Sequence, residues 1–169
     1  TGDDNVAVGY DSLFDLTSGD DNTAVGARAL SNTTTGDNNV AVGRSALISN
    51  TTGSQNIAIG TFALDSNTSA ENNTAVGHNS MASNTTGFSN TALGSLSFDS
   101  NTTGDYNVAI GENTLGNATT ADHNTAVGAR SQIDTTTGEG ANIIRIESAK
   151  GGRARDKQPP KTKKYFRST

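Results

Sequence analysis

One pattern of apolar and polar places recurs along this chain with a step of 17 residues. Asn5-Val6-Ala7-Val8-Gly9 returns as Asn22-Thr23-Ala24-Val25-Gly26, and again from Asn39, Asn56, Asn73, Asn90, Asn107 and Asn124, with no insertion or deletion. Each unit is numbered here from its asparagine. The third place is Ala and the fifth Gly in all eight units. The fourth is aliphatic: Val8, Val25, Val42, Ile59, Val76, Leu93, Ile110 and Val127. The eighth is small, from Ser12 and Ala29 to Ser131, and the ninth is Leu13, Leu30, Leu47, Leu64, Met81, Phe98, Leu115 and then Gln132. A polar stretch such as Ser49-Asn50-Thr51-Thr52-Gly53 closes the unit.

A fixed internal period decides the architecture before any single motif does. A short β-branched run ended by Gly predicts a strand and a bend. A second extended piece is expected to end at the Leu place, and the Asn-Thr-Thr-Gly stretch to turn the chain back. Two strands and two bends in 17 residues make one coil of an all-β, parallel β-solenoid. Coils hydrogen-bonded about 4.8 Å apart would stack eight units into a rod of roughly 38 Å. Side chains alternate along a strand, so the second and fourth places share one face and Ala takes the other. The fourth and ninth places are therefore expected to form the core. Ala then faces a surface that tolerates nothing larger, either the small eighth residue opposite or a neighbouring chain. The glycine that closes every strand suggests a positive φ, whereas the one after Thr-Thr, replaced by Ala70 and Ala121, needs only smallness.

The asparagines Asn5, Asn22, Asn39, Asn56, Asn73, Asn90, Asn107 and Asn124 would stack into a structural amide ladder, inward or across the bend. The period then falters. Position 141 is Ala, and an asparagine arrives one residue late in Asn142-Ile143-Ile144-Arg145-Ile146. This divides the chain into a repeat array over residues 1–140, a terminal cap strand over 141–149, and a basic stretch over 150–169. The opening Thr1-Gly2-Asp3-Asp4 matches the end of a unit and reads as a cut through a longer array.

Composition adds two points. Only 31% of the 169 residues are hydrophobic, so a thin core shared between coils fits better than a compact globule. No cysteine is present, which removes disulfides and thiolate metal sites. Charge is divided: residues 1–140 hold 15 acids and 3 bases, residues 141–169 hold 9 bases and 2 acids. Lys157, Lys161, Lys163, Lys164 and Arg167 are accordingly candidates for docking one subunit on the acidic rod of the next.

The unit Asn-Thr-Ala-Val-Gly…Ala-Leu…Asn-Thr-Thr-Gly resembles the head repeats of trimeric autotransporter adhesins, where Ser-Val-Ala-Ile-Gly segments recur. It is similar to the longer-period version in bacteriophage and large-virus fibre proteins and bacterial surface proteins, over residues 1–140. The resemblance implies a left-handed parallel β-roll, three chains packed side by side, and heads that bind host matrix or other surfaces. The period of 17 is longer than the usual adhesin repeat, and the neck, coiled-coil stalk and membrane anchor of that family are not in this stretch.

Catalytic and metal chemistry finds little support. The two histidines, His78 and His123, sit at variable places without spaced carboxylate partners. Acids at the sixteenth place (Asp20, Asp37, Glu71, Asp105, Asp122, Glu139) read as solvated bend residues, with cation binding as the sharper alternative. Seven Asn-x-Ser/Thr sequons, at Asn32, Asn50, Asn67, Asn72, Asn84, Asn101 and Asn117, read chiefly as turn chemistry. The threonine column from Thr17 and Thr34 to Thr136 raises an ice- or mineral-binding face as an alternative. The leading expectation is a non-enzymatic, extracellular adhesive or structural rod on a cell surface or virion fibre. It would need no cofactor or metal, bind neither nucleic acid nor membrane interior, and form trimers or filaments with itself. Variable bend residues (Tyr10, Arg44, Phe62, His78, Phe88, Tyr106) would contact a host-surface protein or glycan.

Overall fold

The computed structural model describes residues 2–131, 137 and 140–145. It is a parallel β-solenoid with one three-residue strand per coil: β1 (Val6–Val8), β2 (Thr23–Val25), β3 (Val40–Val42), β4 (Ile57–Ile59), β5 (Thr74–Val76), β6 (Thr91–Leu93), β7 (Val108–Ile110), β8 (Thr125–Val127) and β9 (Asn142–Ile144). All nine lie in one sheet in chain order, each parallel to the next. Register follows the repeat, so Ala7 pairs Ala24, Ala24 pairs Ala41, and so on to Ala109 with Ala126.

The core corrects one expectation. The inward side chain of each strand is the alanine: Ala24, Ala41, Ala58, Ala75, Ala92, Ala109 and Ala126 are fully buried. The fourth place points outward. Val8, Val25, Val42, Ile59 and Leu93 are exposed, Val8 at 57% and Leu93 at 46%, and Val76, Ile110 and Val127 are half-buried. The reason lies in strand alternation. The asparagine is two residues before the alanine and shares its face, so an inward amide ladder requires an inward alanine and sends the aliphatic place out. The coil interior is also narrow. Across from the alanines lie the small eighth residues, and Ser80 and Ser97 donate their hydroxyls to the carbonyls of Ala92 (3.3 Å) and Ala109 (2.9 Å). The ninth place fills the rest as expected: Leu30, Leu47, Leu64, Met81, Phe98 and Leu115 are fully buried, and Leu13 nearly so. Each such side chain contributes about 1.5–3 kcal/mol by leaving water.

Among the described residues the second expected strand of each coil is absent. After each glycine the chain runs through left-handed residues at the seventh and ninth places, for example Ser45 (φ 56°) with Leu47 (φ 53°) and Asn79 (φ 53°) with Met81 (φ 52°). A non-glycine residue there costs about 1–2 kcal/mol. The cost is offset because these turns still hydrogen-bond from coil to coil: Leu47 N–H donates to Ala63 O at 3.0 Å, and Met81 N–H to Ser97 O at 3.0 Å. The glycine at the fifth place is required as the sequence implies. At Gly43 φ is 134°, and a Cβ would lie 2.7 Å from the carbonyl carbon and oxygen of Gly60.

The ninth strand corrects a register. The 17-residue step continues through the late asparagine: Asn142 pairs Thr125, Ile143 pairs Ala126 and Ile144 pairs Val127. Ala141 therefore occupies the asparagine place, where its N–H donates to Asn124 Oδ1 at 2.9 Å. Arg145 stands where glycine stood, and its guanidinium donates to Ala129 O (3.4 Å) and Arg130 O (3.1 Å). Backbone bonds between coils hold the step even after the side chains have changed. The remainder of the expected cap, and the docking candidates Lys157, Lys161, Lys163, Lys164 and Arg167, lie outside the described residues.

Candidate functional site

Polar side chains on this rod fall into columns, and most columns are engaged between coils. The asparagine ladder is the most complete. Each Oδ1 accepts the backbone N–H of the next asparagine, from Asn22 to Asn5 (2.9 Å) through Asn73 to Asn56 (3.0 Å) to Asn124 with Asn107 (2.9 Å). From Asn5 to Asn107, Nδ2 reaches the carbonyl of the fifteenth place in its own coil, as Asn39 does to Gly53 (2.9 Å) and Asn56 to Ala70 (2.8 Å). From Asn22 onward these residues are fully buried, which withdraws the column from any ligand.

A second amide ladder went unread in the sequence. Asn50, Asn67, Asn84 and Asn101, at the twelfth place, are also fully buried. Asn67 donates to Asn50 Oδ1 (2.9 Å), Asn84 to Asn67 (3.1 Å) and Asn101 to Asn84 (2.7 Å). Each also donates to the carbonyl three residues on, as Asn50 does to Gly53 at 2.9 Å. The signal is present as four asparagines at one phase, which the sequence reading takes as turn residues within sequons and not as an internal ladder. Their buried amides are closed to glycosylation. Asn32, Asn72 and Asn117 are exposed.

The acidic column has a structural task. Asp37 Oδ1 accepts Asp20 N–H (2.8 Å), Asp105 Oδ1 accepts Phe88 N–H (2.9 Å), and Asp122 Oδ1 accepts Asp105 N–H (2.8 Å). No group of three or more His, Asp or Glu that could hold a metal ion occurs among the described residues. The threonines of the thirteenth place donate to the matching carbonyl of the next coil, Thr34 to Thr51 O (3.1 Å) and Thr51 to Thr68 O (2.9 Å). Their hydroxyls are therefore engaged rather than presented to a water lattice. At the tenth place, burial raises the carboxyls of Asp65 and Asp99 above the ordinary aspartate range, and Asp99 Oδ1 is buried without a hydrogen-bond partner.

Two surfaces present grouped aliphatic or aromatic side chains to other molecules. One is the outer face of the sheet, where the second and fourth places make two columns of Val, Ile, Leu and Thr with no charge among them from β1 to β8. Val6 is 50% exposed, Ile57 38% and Ile59 40%. The other is the rim of bend residues. Phe88, Tyr106 and His123 gather there: Phe88 meets Tyr106 edge to face and Tyr106 stacks on His123, each with centroids 5.1 Å apart. Arg44 lies over the Phe62 ring, 4.9 Å from its centroid. Tyr10 and His78 are exposed on the rim. No helix among the described residues is long and apolar enough to cross a membrane. In comparisons with known proteins, no family model, no curated protein and no solved structure matches the chain.

Proposed function

We propose that this chain is a structural and adhesive rod of an extracellular appendage. Copies associate side by side through the outer face of the sheet, and the rim residues of the assembly attach to a host-surface protein or glycan. The observation that carries this reading is the uncharged aliphatic face running the length of the sheet, Val25, Val42, Ile57, Ile59 and Leu93 among its exposed members. Exposed apolar stripes of this kind mark surfaces that another molecule covers. A second copy is the occupant that matches best. Its own face repeats with the same coil spacing, so parallel chains meet row for row, whereas the exposed aromatic residues elsewhere on the rod (Tyr10, Phe14, Phe88, Tyr106) do not recur from coil to coil. Three chains are the number that the likeness to adhesin heads suggests. The rim then appears once per chain, so weak single contacts add through avidity.

Sedimentation equilibrium tests the association. The wild-type chain is expected to be an oligomer at micromolar concentration, and Val42→Asp with Ile59→Asp to be a monomer with an unchanged circular dichroism spectrum. A monomeric wild-type chain across that range would overturn the reading. For the adhesive part, the oligomer should bind immobilised host-surface material at least tenfold more tightly than the double variant.

A further inference from the structure

Beside the engaged columns stands one that engages nothing. The fourteenth place is Ser or Thr in all eight units, from Ser18, Thr35 and Thr52 to Thr120 and Thr137, and it is exposed in every one. From Ser18 to Thr120, none of these hydroxyls makes a hydrogen bond among the described residues. Its neighbour is the contrast. The thirteenth place is always Thr, and its hydroxyl is donated to the next coil. Exposed places without a common task drift along the array: the sixth is Tyr10, Ala27, Arg44, Thr61, His78 and Ser95 in successive coils. A hydroxyl that recurs on the surface without an internal partner points to a partner outside the chain.

We propose that this column is an array of O-glycosylation acceptors. Ser and Thr interchange within it, so the recurring element is the hydroxyl oxygen and not the methyl group. An O-linked acceptor requires that oxygen and nothing else of the side chain. A neutral sugar also suits the charge. Phosphate would add nearly two negative charges per coil, about 4.8 Å apart, to an acidic rod. The residue that follows is Gly or Ala in every unit, which leaves the oxygen open to a transferase. In the reaction the hydroxyl oxygen attacks the anomeric carbon of a nucleotide-activated sugar. The bond from that carbon to the diphosphate breaks, the nucleoside diphosphate leaves, and the hydroxyl proton passes to a base of the transferase. Because neighbouring acceptors are so close, single sugars or alternate coils are the expected load.

The test is mass spectrometry of the protein purified from the cells or virions that make it. Peptides covering coils two to seven should carry sugar-residue increments, assigned by fragmentation to Thr35, Thr52, Ser69, Thr86 or Thr103. Peptide masses equal to the unmodified sequence, or sugars confined to the thirteenth place or to Asn32, Asn72 and Asn117, would overturn the proposal. A stability arm guards against a purely structural role. Thr52→Ala should leave Tm within a degree while Thr51→Val lowers it, and equal losses would also overturn it. The outcome is independent of sideways association, since a glycosylated monomer would refute only the latter.

Discussion

Asn39 holds Asn56 by two bonds to one oxygen: its Oδ1 accepts the backbone N–H of Asn56 at 3.0 Å and the side-chain Nδ2 at 3.3 Å. A single carboxamide thus satisfies both a main-chain donor and the next rung of the ladder, in a place without access to water. Asn56→Ala is expected to leave Asn73 N–H without its partner in the interior and to remove one of the two amide donors of Ala70 O, which keeps Asn67 Nδ2. The loss should be about 2–4 kcal/mol, combining unsatisfied groups with a small void. Asn32→Ala, at an exposed bend place, should change stability by less than about 0.5 kcal/mol. Urea unfolding of both variants checks the pair, and equal losses would refute the ladder's weight.

Orientation of the strands gives the second expectation. Ala75→Val adds two methyl groups to a fully buried place, and should destabilise by about 1–3 kcal/mol through overpacking. Val76→Ala on the outward face should cost under about 1 kcal/mol in a monomeric background. Thermal melts that reversed this order would mean that the alanine column does not line the interior.

Asp99 supplies a pH dependence. Burial raises its carboxyl pKa above the ordinary aspartate range, so ionisation opposes folding and the penalty applies where the carboxylate is charged. As pH falls through the raised native-state pKa, the folded form takes up its proton first and this penalty disappears. Asp99→Asn should therefore raise Tm at neutral pH, with the gain shrinking towards zero under more acidic conditions. A gain that grew on acidification would have the sign wrong and would rule out desolvation as the cause.

A fourth expectation concerns the strand-closing glycine. Gly60→Ala places a methyl group 2.6 Å from the Gly77 carbonyl carbon, at a φ of 138° that L side chains rarely adopt. Destabilisation of about 2–4 kcal/mol is expected from strain and contact together. Gly53→Ala belongs to a column that already contains Ala70 and Ala121, and it should be the milder of the two. Side-by-side chemical denaturation decides between them.

Much of this architecture could be read from residues alone, because a 17-residue step without gaps leaves few ways to stack. The asparagine ladder, the Leu column and the special glycine followed from recurrence at one phase. The inward alanine did not, because apolar residues were assigned to the interior by size when alternation tied Ala to Asn. Left-handed Leu47 and Met81 were unreadable for a related reason. Their backbone conformation is held by bonds to the neighbouring coil, and no local preference announces it. Asn50 to Asn101 are visible at one phase, but turn chemistry accounts for asparagine in a bend equally well whether its amide points out or in, so the internal contact stays hidden. The outward aliphatic face was out of sight for as long as Val42 and Ile59 were counted as core.

The uniform handover from each coil to the next has a genetic corollary. Unequal crossing-over between units that adds or removes seventeen codons in frame would restore every junction, whereas loss of a single codon would misalign all the columns beyond it. Reach could thus be altered in steps of about 4.8 Å without inventing a new joint. Length is then a trait on which selection can act while the cross-section stays as it is.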